Sequence, residues 1–233
     1  MTRQLSPLER AFCDAITRKR EPVPERFADF LRWVDLPPSP VIEAICDASE
    51  GRPVTSIDDA MCFEVFGCSL AELPTEALRA MATRAGGRGG KTTRLLAPKA
   101  AHAAFTVPIP NLAPGEKAYA ILVAPMLREA KLILDVTRGI IESKEELRRC
   151  VVNGLNDEVG TAECIKIRRP HDKQEVSIIV AAAGGGGLAA RGKVIVFLGM
   201  DESCFFRTEG KASDQDVYDA AFVRLAPRIG EAA

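Results

Sequence analysis

Over residues 1–70 apolar side chains recur at helical spacing, as in Leu8, Phe12, Ala15 and Ile16, and prolines at 22, 24, 37, 38 and 40 interrupt the runs. The pattern predicts a small helical N-terminal region. From Leu78 onward short apolar runs alternate with amphipathic stretches and glycine-rich turns, the texture of βα units around a mainly parallel sheet. Ala118 to Pro125, AYAILVAP, reads as a strand, and Ala130, Ile133, Leu134, Ile140 and Ile141 then line one face of a crossover helix. Thr161 to Arg168 and Glu175 to Ala182 are β-rich and separated by Arg169-Pro170-His171-Asp172, which predicts two strands joined by a turn. Val194 to Leu198 is wholly apolar and predicts a strand buried on both faces. The expected architecture is α/β, a mainly parallel central sheet flanked by helices, with the helical region 1–70 ahead of a core over 71–233.

Candidate chemistry enters at Ala85 to Thr93, AGGRGGKTT, which fits GxxxxGK[ST] with alanine in place of the first glycine. Such a loop lets successive backbone N–H groups wrap a β-phosphate while a helix N-terminus faces the anion. On this reading Ala85, Gly86, Gly87, Arg88, Gly89, Gly90, Lys91, Thr92 and Thr93 form an ATP-binding loop. Lys91 reaches the β- and γ-phosphates and Thr92 coordinates Mg²⁺. The bland alternative is an RGG-like turn without nucleotide chemistry. A short apolar run with Leu78, Ala80, Met81 and Ala82 precedes the loop and helical spacing follows from Thr93 to Phe105, where Pro98 is expected to kink or shorten the helix.

A phosphate loop needs carboxylates for the metal and for the attacking water. VIVFLGMDE, Val194 to Glu202, provides an apolar strand ending in two acids. Asp201 is placed to hold the metal and Glu202 to act as general base. A solvated acidic turn is the plain alternative. Gly199 interrupts the strand just before the acids and is expected to bend it.

Composition narrows the classes further. With 233 residues the chain has room for one sizeable catalytic unit, and a formal net charge of −1 leaves no strong global field for nucleic acid. Contacts to a phosphate backbone must come from local clusters such as Arg18-Lys19-Arg20, Arg148-Arg149 and Arg168-Arg169. Seven cysteines without a CxxC pair, beside two histidines, read as free buried thiols rather than a metal site. His102 is assigned to packing and His171 to a turn. No signal peptide or membrane-length apolar run is visible, so a cytoplasmic protein is expected.

Taken together, FEVFGCSLAELPTEA, the loop with Arg88, APGEKAYAILVAPMLREAKLI, Arg191-Gly192, MDESCFF and DQDVYDAAFVRLAP resemble, from about Phe63 to Pro227, the large subunit of tailed-phage terminases. The resemblance implies a P-loop NTPase fold of the catalytic-glutamate (ASCE) branch, and ATP hydrolysis that pumps double-stranded DNA into a procapsid. It implies a homo-oligomeric ring with portal and small-subunit partners, Arg191 as a finger entering the neighbouring subunit's site, and Arg88 touching the same phosphates in cis. The family's coupling motif and nuclease domain would lie beyond Ala233, so a fragment or truncated form is expected. A helicase-like P-loop ATPase and a nucleotide-responsive interaction module without turnover are the competing expectations.

Overall fold

The computed structural model describes residues 22–84, 89–109, 112, 116–152, 163–183, 193–203 and 219. The helical spacing from Leu8 to Ile16, the cluster Arg18-Lys19-Arg20 and most of the segment after Ser203 lie outside these residues. Three helices lead the described chain: α1 (Phe27–Trp33), α2 (Pro40–Ser49) and α3 (Asp59–Phe66). The prolines fall between or at the starts of them. Pro40 opens α2, where a missing N–H costs nothing, and the Ser39 hydroxyl caps it by accepting from the Ile42 N–H at 3.3 Å. Asp58 caps α3 in the same way, and Gly67 ends it at φ 75°, in the left-handed conformation glycine tolerates.

A wide π-type turn (Lys91–Leu96) runs directly into α4 (Ala97–Thr106), followed by β1 (Ala118–Ala124), α5 (Leu127–Ser143), α6 (Glu145–Arg148), β2 (Cys164–Arg168), β3 (Glu175–Ala182) and β4 (Val194–Met200). Pro98 explains the wide turn. It has no N–H and its ring crowds the carbonyl four residues back, so the ladder loosens and the Ala97 N–H donates to the Thr92 carbonyl, five residues back. The helix neither stops nor shortens there. Leu78, Ala80, Met81 and Ala82, by contrast, form no strand: 77–84 is exposed irregular chain. That run is built mostly of alanine and long unbranched side chains, so it carries little strand preference of its own.

The four strands make one mixed sheet in the order β2-β3-β1-β4, with β3, β1 and β4 parallel and β2 antiparallel to β3. The β2–β3 hairpin, the β1 strand and the α5 face agree with the pattern of apolar residues. Helices α4 and α5 cover one face, where Ala100, Ala101, Ala104, Ile133, Leu134 and Ile141 pack on Ala120, Leu122 and Ile178. Phe27, Phe30 and Leu31 of α1 belong to this same core, so the N-terminal helices share the sheet's hydrophobic centre. The opposite face gathers Ile121, Val123, Ala183 and Ile195.

Polar groups inside the core are paired. His102 packs at a tilt against the Phe27 and Phe30 rings, and its Nε2 lies 2.9 Å from the Pro24 carbonyl. Burial pushes it down to about 3, so it stays neutral, as its packing role requires. Arg169 corrects the reading of Arg168-Arg169 as a surface phosphate contact. Its guanidinium is 1% exposed, forks onto Asp172 and donates to the Val107 carbonyl at 2.6 Å. Arg148 and Arg149 are exposed but paired with Glu145. Cys46 and Cys62 are buried free thiols, and burial pushes Cys46 up to about 12. No helix of the described residues is long and apolar enough to cross a membrane.

Candidate phosphate-binding site

Gly90 sets the entrance of the helix. It holds φ 74°, which side chains adopt at a cost, and its carbonyl accepts from the Arg94 N–H at 2.7 Å. The first turn of any helix leaves its N–H groups without partners inside the helix, and these face outward past Lys91. Lys91 and Thr92 therefore stand at the N-terminal end of the π turn and α4, a position where the helix dipole favours negative charge.

The acids arrive on β4. Its pairing with β1 shifts between Tyr119 and Ala120: Tyr119 faces Ile195 but Ala120 faces Phe197, so Val196 is an extra residue. Such a bulge is rare in a parallel pair, and a one-residue shift turns every later side chain to the other face. Ile195 lies with Ile121 and Val123, whereas beyond the bulge Phe197 and Gly199 lie opposite Ala120 and Leu122, on the face covered by α4. Asp201 continues that parity, and its N–H extends the ladder by donating to the Val123 carbonyl at 2.9 Å. The bulge at Val196 thus aims Asp201 at the helix.

Contact follows. The Thr92 hydroxyl donates to Asp201 Oδ2 at 2.7 Å, and Lys91 Nζ lies 3.6 Å from Asp201 Oδ1 and 3.6 Å from Glu202 Oε1. Asp201 is the sheltered member at 15% side-chain exposure, against 36% for Lys91 and 45% for Glu202. Ion pairs this open to water hold little stability of their own. Glu202 has φ 51°, a left-handed conformation unusual for a residue with a long side chain. Backbone strain of this kind costs about 1 kcal/mol or more and tends to persist at functional positions.

Of the residues singled out from sequence, Lys91, Thr92, Asp201 and Glu202 are brought together, with Gly89 and Gly90 leading into them. Thr93 is exposed. Ala85, Gly86, Gly87, Arg88 and Arg191 lie outside the described residues. Sequence reasoning missed the bulge at Val196, which leaves no trace in an unbroken apolar run, and the close packing at Gly199. A Cβ on Gly199 would stand 2.6 Å from Leu96 Cδ1, 2.8 Å from Phe197 Cε1 and 3.1 Å from Leu122 Cδ2. The glycine makes room for the turn that carries Lys91 and Thr92.

No protein-family model, no curated protein and no solved structure matched the chain in comparisons of sequence and fold.

Proposed function

We propose that the chain is a magnesium-dependent P-loop ATPase and that hydrolysis drives double-stranded DNA, as in the terminase motors its sequence resembles. The reading rests on one observation: the Thr92 hydroxyl bonds to Asp201 while Lys91 stands between Asp201 and Glu202. A glycine-rich turn and a solvated acidic strand end have no reason to meet through these atoms. A phosphate loop and its partner strand do.

The donor set suits the cation. Magnesium takes hard oxygen ligands and usually only one or two from protein, the rest coming from substrate phosphates and water. Thr92 and Asp201 would hold it, and among the described residues no group of three His, Cys, Asp or Glu offers an all-protein cage instead. Bound with ATP, the ion would neutralise charge on the β- and γ-phosphate oxygens.

The remaining work falls to the chain. Lys91, now shared by two carboxylates, transfers its ammonium to the incoming phosphates, which carry more charge. Glu202 is then relieved of its cation and accepts a proton from water. The water oxygen bonds to the γ-phosphorus as the bond to the β,γ-bridging oxygen breaks, and ADP and phosphate leave. Arg88 in cis and Arg191 from a neighbouring subunit complete the charge balance in this reading, within a homo-oligomeric ring served by portal and small-subunit partners.

Phosphate release from ATP by the purified chain, with and without Mg²⁺ and double-stranded DNA, tests the proposal. Mg²⁺-dependent turnover raised by DNA supports it. Turnover indifferent to DNA would remove the motor and leave the ATPase, and absence of Mg²⁺-dependent ATP binding would remove both.

A further inference from the structure

The contact between Thr92 and Asp201 has a companion one turn along. Leu96 lies four residues after Thr92, and Gly199 lies two residues before Asp201. The turn runs on four residues while the strand runs back two, so Thr92/Asp201 and Leu96/Gly199 are successive contacts of an antiparallel turn and strand. Both strand positions lie on the α4 face of the sheet because of the bulge at Val196. The Leu96 methyl fills the space where a Gly199 side chain would be, hemmed by Phe197 and Leu122.

We infer that Gly199 is a positioning residue for the nucleotide site: it sets how close the Lys91–Leu96 turn lies to β4, and through that spacing it brings the Thr92 hydroxyl to Asp201. The inference rests on the ATPase reading for its chemistry, though its geometric part does not need nucleotide. Two contacts fix the turn where one would let it pivot. Leu96 on Gly199 is the apolar one, without exchangeable protons and unaffected by the metal. Thr92 on Asp201 is the polar one, which the cation enters. A side chain at Gly199 lifts the turn at Leu96 and swings Thr92 away from the carboxylate. The closest approach is that of Leu96 Cδ1, so removing bulk from Leu96 relieves the crowding on the side of the turn, while Phe197 and Leu122 still press from the sheet. Mere loss of strand stability would not be corrected that way.

The test compares Gly199→Ala, Gly199→Val, Leu96→Ala and the double variant Leu96→Ala/Gly199→Val. Expected are a Mg²⁺ concentration for half-maximal ATP turnover raised about tenfold in Gly199→Val and less in Gly199→Ala, a rise of about threefold in Leu96→Ala as the turn loses its apolar contact, and a return of the double variant to about the Leu96→Ala level. Crystal structures of the variants read the same point without nucleotide: the 2.7 Å separation of Thr92 Oγ1 and Asp201 Oδ2 opens in the Gly199 variants and closes in the double variant. Should Gly199→Val not fold, Gly199→Ala alone and with Leu96→Ala carries the comparison. A Thr92–Asp201 contact unchanged by the Gly199 substitutions, or a Mg²⁺ dependence that Leu96→Ala fails to restore, overturns the positioning role. Failure of the wild-type chain to bind Mg²⁺ and ATP overturns the ATPase reading and leaves the crystallographic comparison standing.

Discussion

Thr92 and Asp201 are 109 positions apart in the chain and share a hydrogen bond of 2.7 Å. One belongs to a helical turn widened by Pro98, the other to a strand whose facing is reversed by an extra valine. Neither irregularity alone would bring the two groups into register. The same neighbourhood holds the single ammonium of Lys91 between two carboxylates, so it must exchange partners to meet a phosphate.

Lys91→Ala removes the ammonium that would face the β- and γ-phosphates. ATP affinity should fall by on the order of tenfold to a hundredfold, the worth of a charge-assisted hydrogen bond. Glu202→Ala spares the cradle and deletes the base, so Mg²⁺–ATP affinity should stay within a few-fold while turnover drops by roughly two to four orders of magnitude. Equilibrium binding of a fluorescent ATP analogue beside steady-state phosphate release separates the two. Equal losses in both assays for Glu202→Ala would contradict its role.

Strain at Glu202 gives a prediction of opposite sign for stability. Asparagine accepts the left-handed region more readily than glutamate and avoids the unfolded-state freedom of glycine. Glu202→Asn should therefore raise the unfolding free energy by roughly 0.5–1 kcal/mol while abolishing turnover. Chemical denaturation measures the first and phosphate release the second. A destabilised Glu202→Asn would show that the backbone there is relaxed.

His102 governs an acid limb. Its folded form is held neutral down to about pH 3, whereas in the unfolded chain it protonates near its ordinary value. The unfolded state thus takes up a proton as pH falls below about 6.5, and stability is lost from there down to about pH 3, at most about 1.4 kcal/mol per pH unit. Denaturant midpoints measured from pH 7 to pH 4 should show this slope. In His102→Gln the same limb should be shallower, although the variant starts from lower stability; parallel limbs would assign the slope to other groups.

Arg191 acts in trans on the reading proposed above, so specific activity should rise with protein concentration as subunits assemble. Arg191→Ala should depress turnover with little change in ATP affinity of the isolated subunit. Mixing it with Glu202→Ala should restore part of the activity, since some interfaces then pair an intact Glu202 with an intact Arg191. No recovery in verified mixed assemblies would place Arg191 in cis or outside the site.

The sequence was most informative where one periodicity dominated. The apolar run at Ala118 to Ala124, the buried stripe of α5 and the β2–β3 hairpin each follow from side-chain spacing, and the lysine and acids are legible because the loop chemistry restricts them to few residue types. What escaped depended on other parts of the chain. The bulge at Val196 is a property of how β4 pairs with β1, and Gly199 is defined by a leucine about a hundred residues earlier. Arg169 looks like its neighbour Arg168 in sequence, but one points to solvent and the other inward onto Asp172. At Leu78 to Arg84, apolar residues without strand-like alternation leave the chain irregular and exposed.

The anchoring of α1 on α4 has a mechanical meaning. Phe27 and Phe30 rest on the His102 ring, the Phe27 N–H donates to the Glu50 carboxylate, and Lys99 of α4 grips the same carboxylate at 3.0 Å. These ties fasten the N-terminal helices to the far end of the rod whose tip presents Lys91. A tilt of that rod would therefore be carried to α1 and α2, which move with it as one lever rather than as separate helices.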